Sequence, residues 1–227
     1  MRAALAAAAG VGPFFRLEAV DAARAAGWLP VSALSYAELA SLTEHTARQL
    51  GTGEPRVAAS IAHLGLAARL WSPVLASGLL CGLVPDLSGL VVAADPPVRL
   101  GLDRPAGSVA GSPGQLATLS AGAVAPRLTA LAAGLAVRLP AGLQRGNSAS
   151  AMTGALRVIV GHDRRLAAPA SELARILLDS DDLLGTGTPT DADPLAFRRR
   201  SCCLYYRVPG GGLCGDCCFA SRPRSRD

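Results

Sequence analysis

The chain has 227 residues, half of them hydrophobic, and a mean hydropathy of +0.33. That excludes disorder along its whole length and leaves room for one generous domain or two small ones. Residues 1–197 hold 15 Arg and 15 acidic residues, whereas residues 198–227 hold seven Arg (198, 199, 200, 207, 222, 224 and 226) against Asp216 and Asp227, which is the whole net charge of +5. A neutral body excludes a broad basic surface of the kind that binds nucleic acid. Aromatic residues are only 4%, so the core must be built from Ala, Leu and Val. Every basic residue is Arg, a bias expected of a GC-rich genome rather than of chemistry.

In chain order, the Ala-rich start after Arg2 imitates a signal peptide only weakly, because Ala is barely hydrophobic and no charge cluster precedes it. Residues 13–30 read as a mixed opening with a short helix near 18–26. Ser35 with Glu38 is a capping box, so a helix is predicted to Leu50 with Gly51 as its stop. Pro55 opens a second helix carrying Val57, Ile61, Leu64, Ala68 and Trp71 at helical spacing. Pro73 is expected to kink or restart it, with a further helical piece to about Gly82. The apolar region 70–94 is too broken by Pro73, Pro85 and Asp86 for a membrane span and reads as buried helix, turn and strand. Strands are predicted at Leu87–Ala94 and Val98–Leu102, joined by a turn at Asp95–Pro97 into a small hairpin. Helices follow at 113–124 and, beyond Pro126, at 127–138. Pro140–Asn147 reads as a linker, 148–160 as a helix ended by Gly161, and Pro169 starts the last helix. Residues 185–194 are polar and rich in Gly, Thr and Pro. The expected organisation is an α-rich body over 1–184, a linker over 185–197 and a Cys-rich segment over 198–227. The fold class is α+β: a mainly helical body with a small β-hairpin and a C-terminal cap.

Five of the six cysteines fall in that cap. Cys202, Cys203, Cys214 and Cys217 form the pattern C-C-x10-C-x2-C, with Cys218 directly after. Zinc ribbons use knuckles with two to four residues between cysteines, and here the first pair has none between them. Neighbouring side chains diverge in a strand and sit apart in a helix, so one small tetrahedral ion needs an unusual turn to take both. A two-iron cluster shares its thiolates between two metals, which suits adjacent cysteines better. A structural zinc site, a disulfide cluster and a metal-free thiol set are the alternatives. Gly210–Gly212 gives the chain freedom to return to a metal. Cys81, alone in an apolar segment, reads as a small buried hydrophobe. His45, His63 and His162 are not paired at metal spacing and read as surface or packed residues. Trp71 reads as core, with a place on the ligand surface as the alternative.

This tail resembles the FhuF-type ferric-siderophore reductases. The resemblance rests on Arg199-Arg200-Ser201-Cys202-Cys203 and Cys214-Gly215-Asp216-Cys217, with weaker similarity at Arg69-Leu70-Trp71-Ser72-Pro73 and Gly146-Asn147-Ser148-Ala149-Ser150, and covers residues 35–220. It implies a [2Fe–2S] cluster bound by Cys202, Cys203, Cys214 and Cys217, with Cys218 as an alternate, in a cytoplasmic protein that reduces Fe(III) held by a hydroxamate-type siderophore. No catalytic acid, base or nucleophile is needed beyond the cluster, since Fe(II) binds hard oxygen donors less well than Fe(III) and one electron suffices for release. Arg199, Arg200 and Arg207 are expected near the cluster, raising its potential or docking an acidic donor. No flavin or dinucleotide motif is visible, so the electrons come from a ferredoxin, a flavoprotein or a small reductant. Neither nucleic acid nor an integral membrane segment is expected. The competing readings are a non-enzymatic iron–sulfur carrier or sensor and a structural zinc-binding module.

Overall fold

The computed structural model describes residues 1–21, 26–93, 98–190 and 193–223. Six helices dominate it: α1 (Arg2–Ala9), α2 (Tyr36–Leu50), α3 (Pro55–Cys81), α4 (Pro113–Ala133), α5 (Ala141–His162) and α6 (Ala167–Leu178). Eight short strands accompany them: β1 (Glu18–Ala19), β2 (Leu29–Pro30), β3 (Leu83–Pro85), β4 (Leu90–Ala93), β5 (Arg99–Leu102), β6 (Gly107–Val109), β7 (Gly187–Thr190) and β8 (Asp193–Arg199). The architecture is the α+β arrangement with a Cys-rich C-terminal cap that the sequence predicts.

The long helix α3 is the axis of the molecule and packs most extensively against α5, with α1, α2 and α4 around it. Trp71, Leu70, Val74 and Leu75 of α3 and Met152, Leu156 and Ile159 of α5 lie in the centre of the core. β1, β5, β4 and β2 form a four-stranded sheet in that order, parallel only between β1 and β5; β3 pairs with β6 and β7 with β8, both antiparallel. By length and composition α3 and α4 are long enough to cross a membrane, but most of α3's apolar stretch is buried within the protein, as a core helix requires.

The Ser35–Glu38 capping box forms, with Ser35 Oγ accepting from Glu38 N, and Gly51 closes α2 at φ 61°. The hairpin of β4 and β5 forms in the register Leu90–Leu102 to Ala93–Arg99. Its Asp95–Pro97 turn lies outside the described residues, as do residues 22–25 of the helix expected at 18–26, where the structure instead begins a strand at Glu18.

Several expectations are corrected. Neither Pro73 nor Pro126 breaks its helix. An internal proline costs about 3 kcal/mol, and at Pro73 burial of the ring and of flanking Trp71 and Val74 offsets it. Pro140–Asn147 is no linker: Pro140 caps α5, which starts at Ala141 and runs past Gly161 to His162. Within the polar stretch read as a linker, Gly187–Thr190 is β7, paired antiparallel with β8. Cys81 is exposed, because it is the last residue of α3 before the left-handed Gly82.

Candidate metal centre

The strand β8 aims the cap. Its alternation puts Leu195, Phe197 and Arg199 inside and leaves Arg198 and Arg200 exposed. Arg199 is thus carried into the protein at 2% exposure, directly before the first cysteine pair. Gly146 on α5 permits this approach: a methyl group there would collide with the Ser201 hydroxyl and crowd the Arg199 guanidinium.

Beyond β8 the chain makes the unusual turn that adjacent cysteines demand. Leu204 takes the left-handed conformation at φ 70°, the one non-glycine residue to do so among those described. Its N–H donates to Cys202 Sγ at 3.3 Å. Cys202 and Cys203 consequently share a hydrogen bond rather than diverging. A short 3-10 turn, Tyr205–Arg207, and the left-handed Gly210 bring the chain back. Gly211 fits because a side chain there would strike the Tyr205 and Val208 carbonyls. Tyr206 and Phe219 meet edge-to-face at 5.6 Å, pinning the two ends of the loop together.

None of the cysteines is in a disulfide. Cys203 and Cys214, eleven residues apart, meet at 3.4 Å between their sulfurs. Two thiolates on one tetrahedral metal at about 2.3 Å stand about 3.8 Å apart, so this pair is close to that separation. Hydrogen bonds from Cys202 and then Cys214, helped by the Arg199 charge, hold the Cys203 thiol below its usual range; the same bonds push the Cys202 and Cys214 thiols up. Cys217 N donates to Cys214 O, and Cys217 Sγ accepts from Phe219 N at 3.5 Å. Burial and the neighbouring Cys217 charge raise the Cys218 thiol, while a hydrogen bond with Cys202 lowers it. The five cap cysteines are therefore linked through successive pairs. Among the described residues no three His, Cys, Asp or Glu side chains are set around a single metal ion. Thiol pairs with backbone N–H donors on their sulfurs suit a two-iron cluster.

The body holds this cap through polar contacts that sequence reading missed. Ser60 Oγ on α3 donates to the Cys203 carbonyl at 2.8 Å. Asp216, buried between Cys214 and Cys217, accepts from Ser150 Oγ at 2.6 Å and pairs with Arg157 at 2.9 Å; its carbonyl accepts from Arg199 N. Asn147 Oδ1 accepts from Arg199 NH2 at 2.6 Å, and Asn147 Nδ2 donates to the Ser60 carbonyl at 2.9 Å and lies 3.5 Å from His63 Nδ1. Burial first, and the Arg199 charge second, hold His63 down at about 4. The run Gly146–Ser150 is accordingly a docking face: Gly146 admits β8, Asn147 holds Arg199, Ser148 accepts from Trp71 Nε1 at 2.8 Å, and Ser150 holds Asp216.

The three arginines expected near the cluster differ. Arg199 is buried, and its Nε and NH1 have no hydrogen-bond partner, nor has Ser201 Oγ. Arg200 is exposed. Arg207 is exposed and paired with Glu54 at 2.6 Å, tying the loop to the start of α3. Trp71 is in the core, as expected.

Residues 199–219 match the family model described as the FhuF 2Fe-2S C-terminal domain. No curated protein and no solved structure matches the chain.

Proposed function

From a chain whose C-terminal segment is an FhuF-type [2Fe–2S] domain, we propose a cytoplasmic reductase of ferric siderophores. The cluster, when bound, supplies single electrons. In this reading residues 198–227 form the cluster-binding segment on a body spanning 1–184, joined through the hairpin region 185–197. Cys202, Cys203, Cys214 and Cys217 are the ligands. Cys217 is favoured over Cys218 because its sulfur, like that of Cys202, accepts an N–H from the residue two positions on. Such bonds stabilise a thiolate.

The observation that carries the reading is Arg199. A buried cation with two unpaired nitrogens is costly unless an anion stands against it, and a thiolate-bound iron–sulfur centre is that anion. Arg199 then favours the reduced, more negative state and raises the potential. Ser201, whose buried hydroxyl also has no partner, supplies a further donor. Arg200, exposed beside the cap, offers a docking charge to an acidic electron donor. That donor is a ferredoxin, a flavoprotein or a small reductant.

A siderophore holds Fe(III) through hard oxygens, and one electron converts it to the weakly held Fe(II). The protein's task is to bring the chelate within reach and to keep the centre fixed while the charge changes. The anaerobic protein, reduced with stoichiometric dithionite and mixed with a ferric trihydroxamate, should reoxidise within the mixing experiment and yield one chelator-trapped Fe(II) per electron. Reduced protein that keeps its electrons in the presence of ferric chelates would overturn the reading.

A further inference from the structure

A cavity of about 590 Å³ opens between the segment 11–15, α3 and α5, a size that buries a small organic ligand. Ala68 on α3 and Ala151 and Gly154 on α5 line it with small residues, and the exposed Phe14 and Val158 stand at its mouth. Arg69 lies over the Phe14 ring, 4.8 Å from its centroid, and fixes that aromatic in place. Two polar groups of the cavity are not fully spent on the protein. Ser72 lines it at 3% exposure, and its hydroxyl makes no hydrogen bond to a described residue. Arg157 gives NH2 to Asp216 and makes no other hydrogen bond among the described residues. Asp216 stands between Cys214 and Cys217, so one ion pair separates the cavity wall from the cluster loop. Arg69 and Ser72 also give the run 69–73 a task beyond packing.

We propose that this cavity binds a reduced flavin, which donates single electrons to the cluster. The inference rests on the reductase reading and selects a small diffusible molecule as its electron donor.

Charge, shape and the unspent polar groups argue for that occupant. Near neutral pH a flavin hydroquinone is a flat monoanion with its charge along one edge of the ring and a methylated benzenoid at the other. The anionic edge matches Arg157, and the benzenoid edge matches Val158 and the alanine-lined wall. Small residues admit a flat ring that bulkier side chains would exclude. A long-chain carboxylate places its one polar group on Arg157 and leaves the buried Ser72 hydroxyl unpaired, whereas a flavin carries polar atoms for both. The hydroquinone anion gives one electron to the oxidised cluster and becomes the neutral semiquinone, with no proton moved and no bond formed to the protein. A second oxidised cluster takes the next electron as the N5 proton leaves to water, and oxidised flavin remains.

The test mixes anaerobic holoprotein with electrochemically reduced riboflavin and follows bleaching of the visible bands. The rate should rise to a plateau with riboflavin concentration. Gly154→Leu fills the cavity, where a methyl group would meet only the Arg157 side chain at 3.9 Å, and should raise the half-saturating concentration at least about tenfold. Ser72→Ala should raise it about three- to tenfold. Gly122→Leu, the same change at an open position on α4, should alter nothing, and dithionite should reduce every variant at the wild-type rate. Laurate should not compete. The proposal is overturned if the wild-type rate shows no plateau, if Gly154→Leu or Ser72→Ala behaves as wild type, if Gly122→Leu is impaired equally, or if laurate competes. Protein that reduces a ferric trihydroxamate with dithionite electrons but ignores reduced riboflavin overturns this inference alone. Protein that takes electrons saturably from riboflavin but passes none to the chelate would instead overturn the reductase reading and leave the flavin site standing.

Discussion

Arg157→Gln tests how the body grips the cap. Arg157 pairs with Asp216 at 2.9 Å; the carboxylate is 7% exposed and the guanidinium 36%. Charges centred about 4 Å apart interact by about 4 kcal/mol at an effective dielectric of 20. Because Arg157 is a third exposed, solvent screens part of this, leaving about 2–3 kcal/mol. Removing Arg157 strands Asp216 between Cys214 and Cys217 with only the Ser150 hydroxyl on its side chain. Removing the carboxylate instead lets Arg157 turn to water, so Asp216→Asn should cost less. The double variant should recover at least half of the Arg157→Gln loss, since neither charge is then left alone. Urea unfolding of the holoprotein reads the stability, and the rate of bleaching under an iron chelator reads the grip on the cluster. Equal and additive losses in the two single variants would refute a coupled clamp.

Other outcomes follow from the same geometry. Arg199→Gln should lower the midpoint potential by about 60–120 mV, the one-electron equivalent of about 1.4–3 kcal/mol of lost charge stabilisation, with Arg199→Lys intermediate; an EPR-monitored titration measures it, and an unchanged potential removes Arg199 from the cluster's surroundings. Leu204→Gly should stabilise the holoprotein by about 1 kcal/mol by relieving the left-handed turn, whereas Leu204→Val should lose cluster, as iron content will show. His63, held at about 4 against an ordinary 6.5, stays unprotonated in the folded chain while the unfolded chain takes up a proton. Its contribution is therefore complete above pH 6.5 and falls by about 3 kcal/mol on the way down to pH 4. Urea midpoints of His63→Gln should fall less steeply over that window than those of wild type. Cys218→Ser should keep the visible bands that Cys217→Ser loses.

What was legible in the sequence was local. The capping box at Ser35, the β4–β5 hairpin and the cysteine spacing each depend on residues a few positions apart. Pro73 and Pro126 misled because packing, which periodicity does not reveal, carries helices through them. Reading 185–194 as a linker hid the alternation of β8, and with it the inward turn of Arg199 between two exposed arginines. The contacts of Ser60, Asn147, Ser150 and Arg157 span 52 to 143 positions. Nothing in a single chain marks such partners, although Gly146–Ser150 stood out as a motif before its docking role was visible. Cys81 shows the opposite failure: an apolar neighbourhood in sequence became an exposed helix end.

The most direct measurement is iron, zinc and acid-labile sulfide per chain on anaerobically purified protein, with the absorption spectrum before and after dithionite. The account predicts two irons, two sulfides and visible bands that bleach on reduction. One zinc per chain in a colourless protein would contradict it.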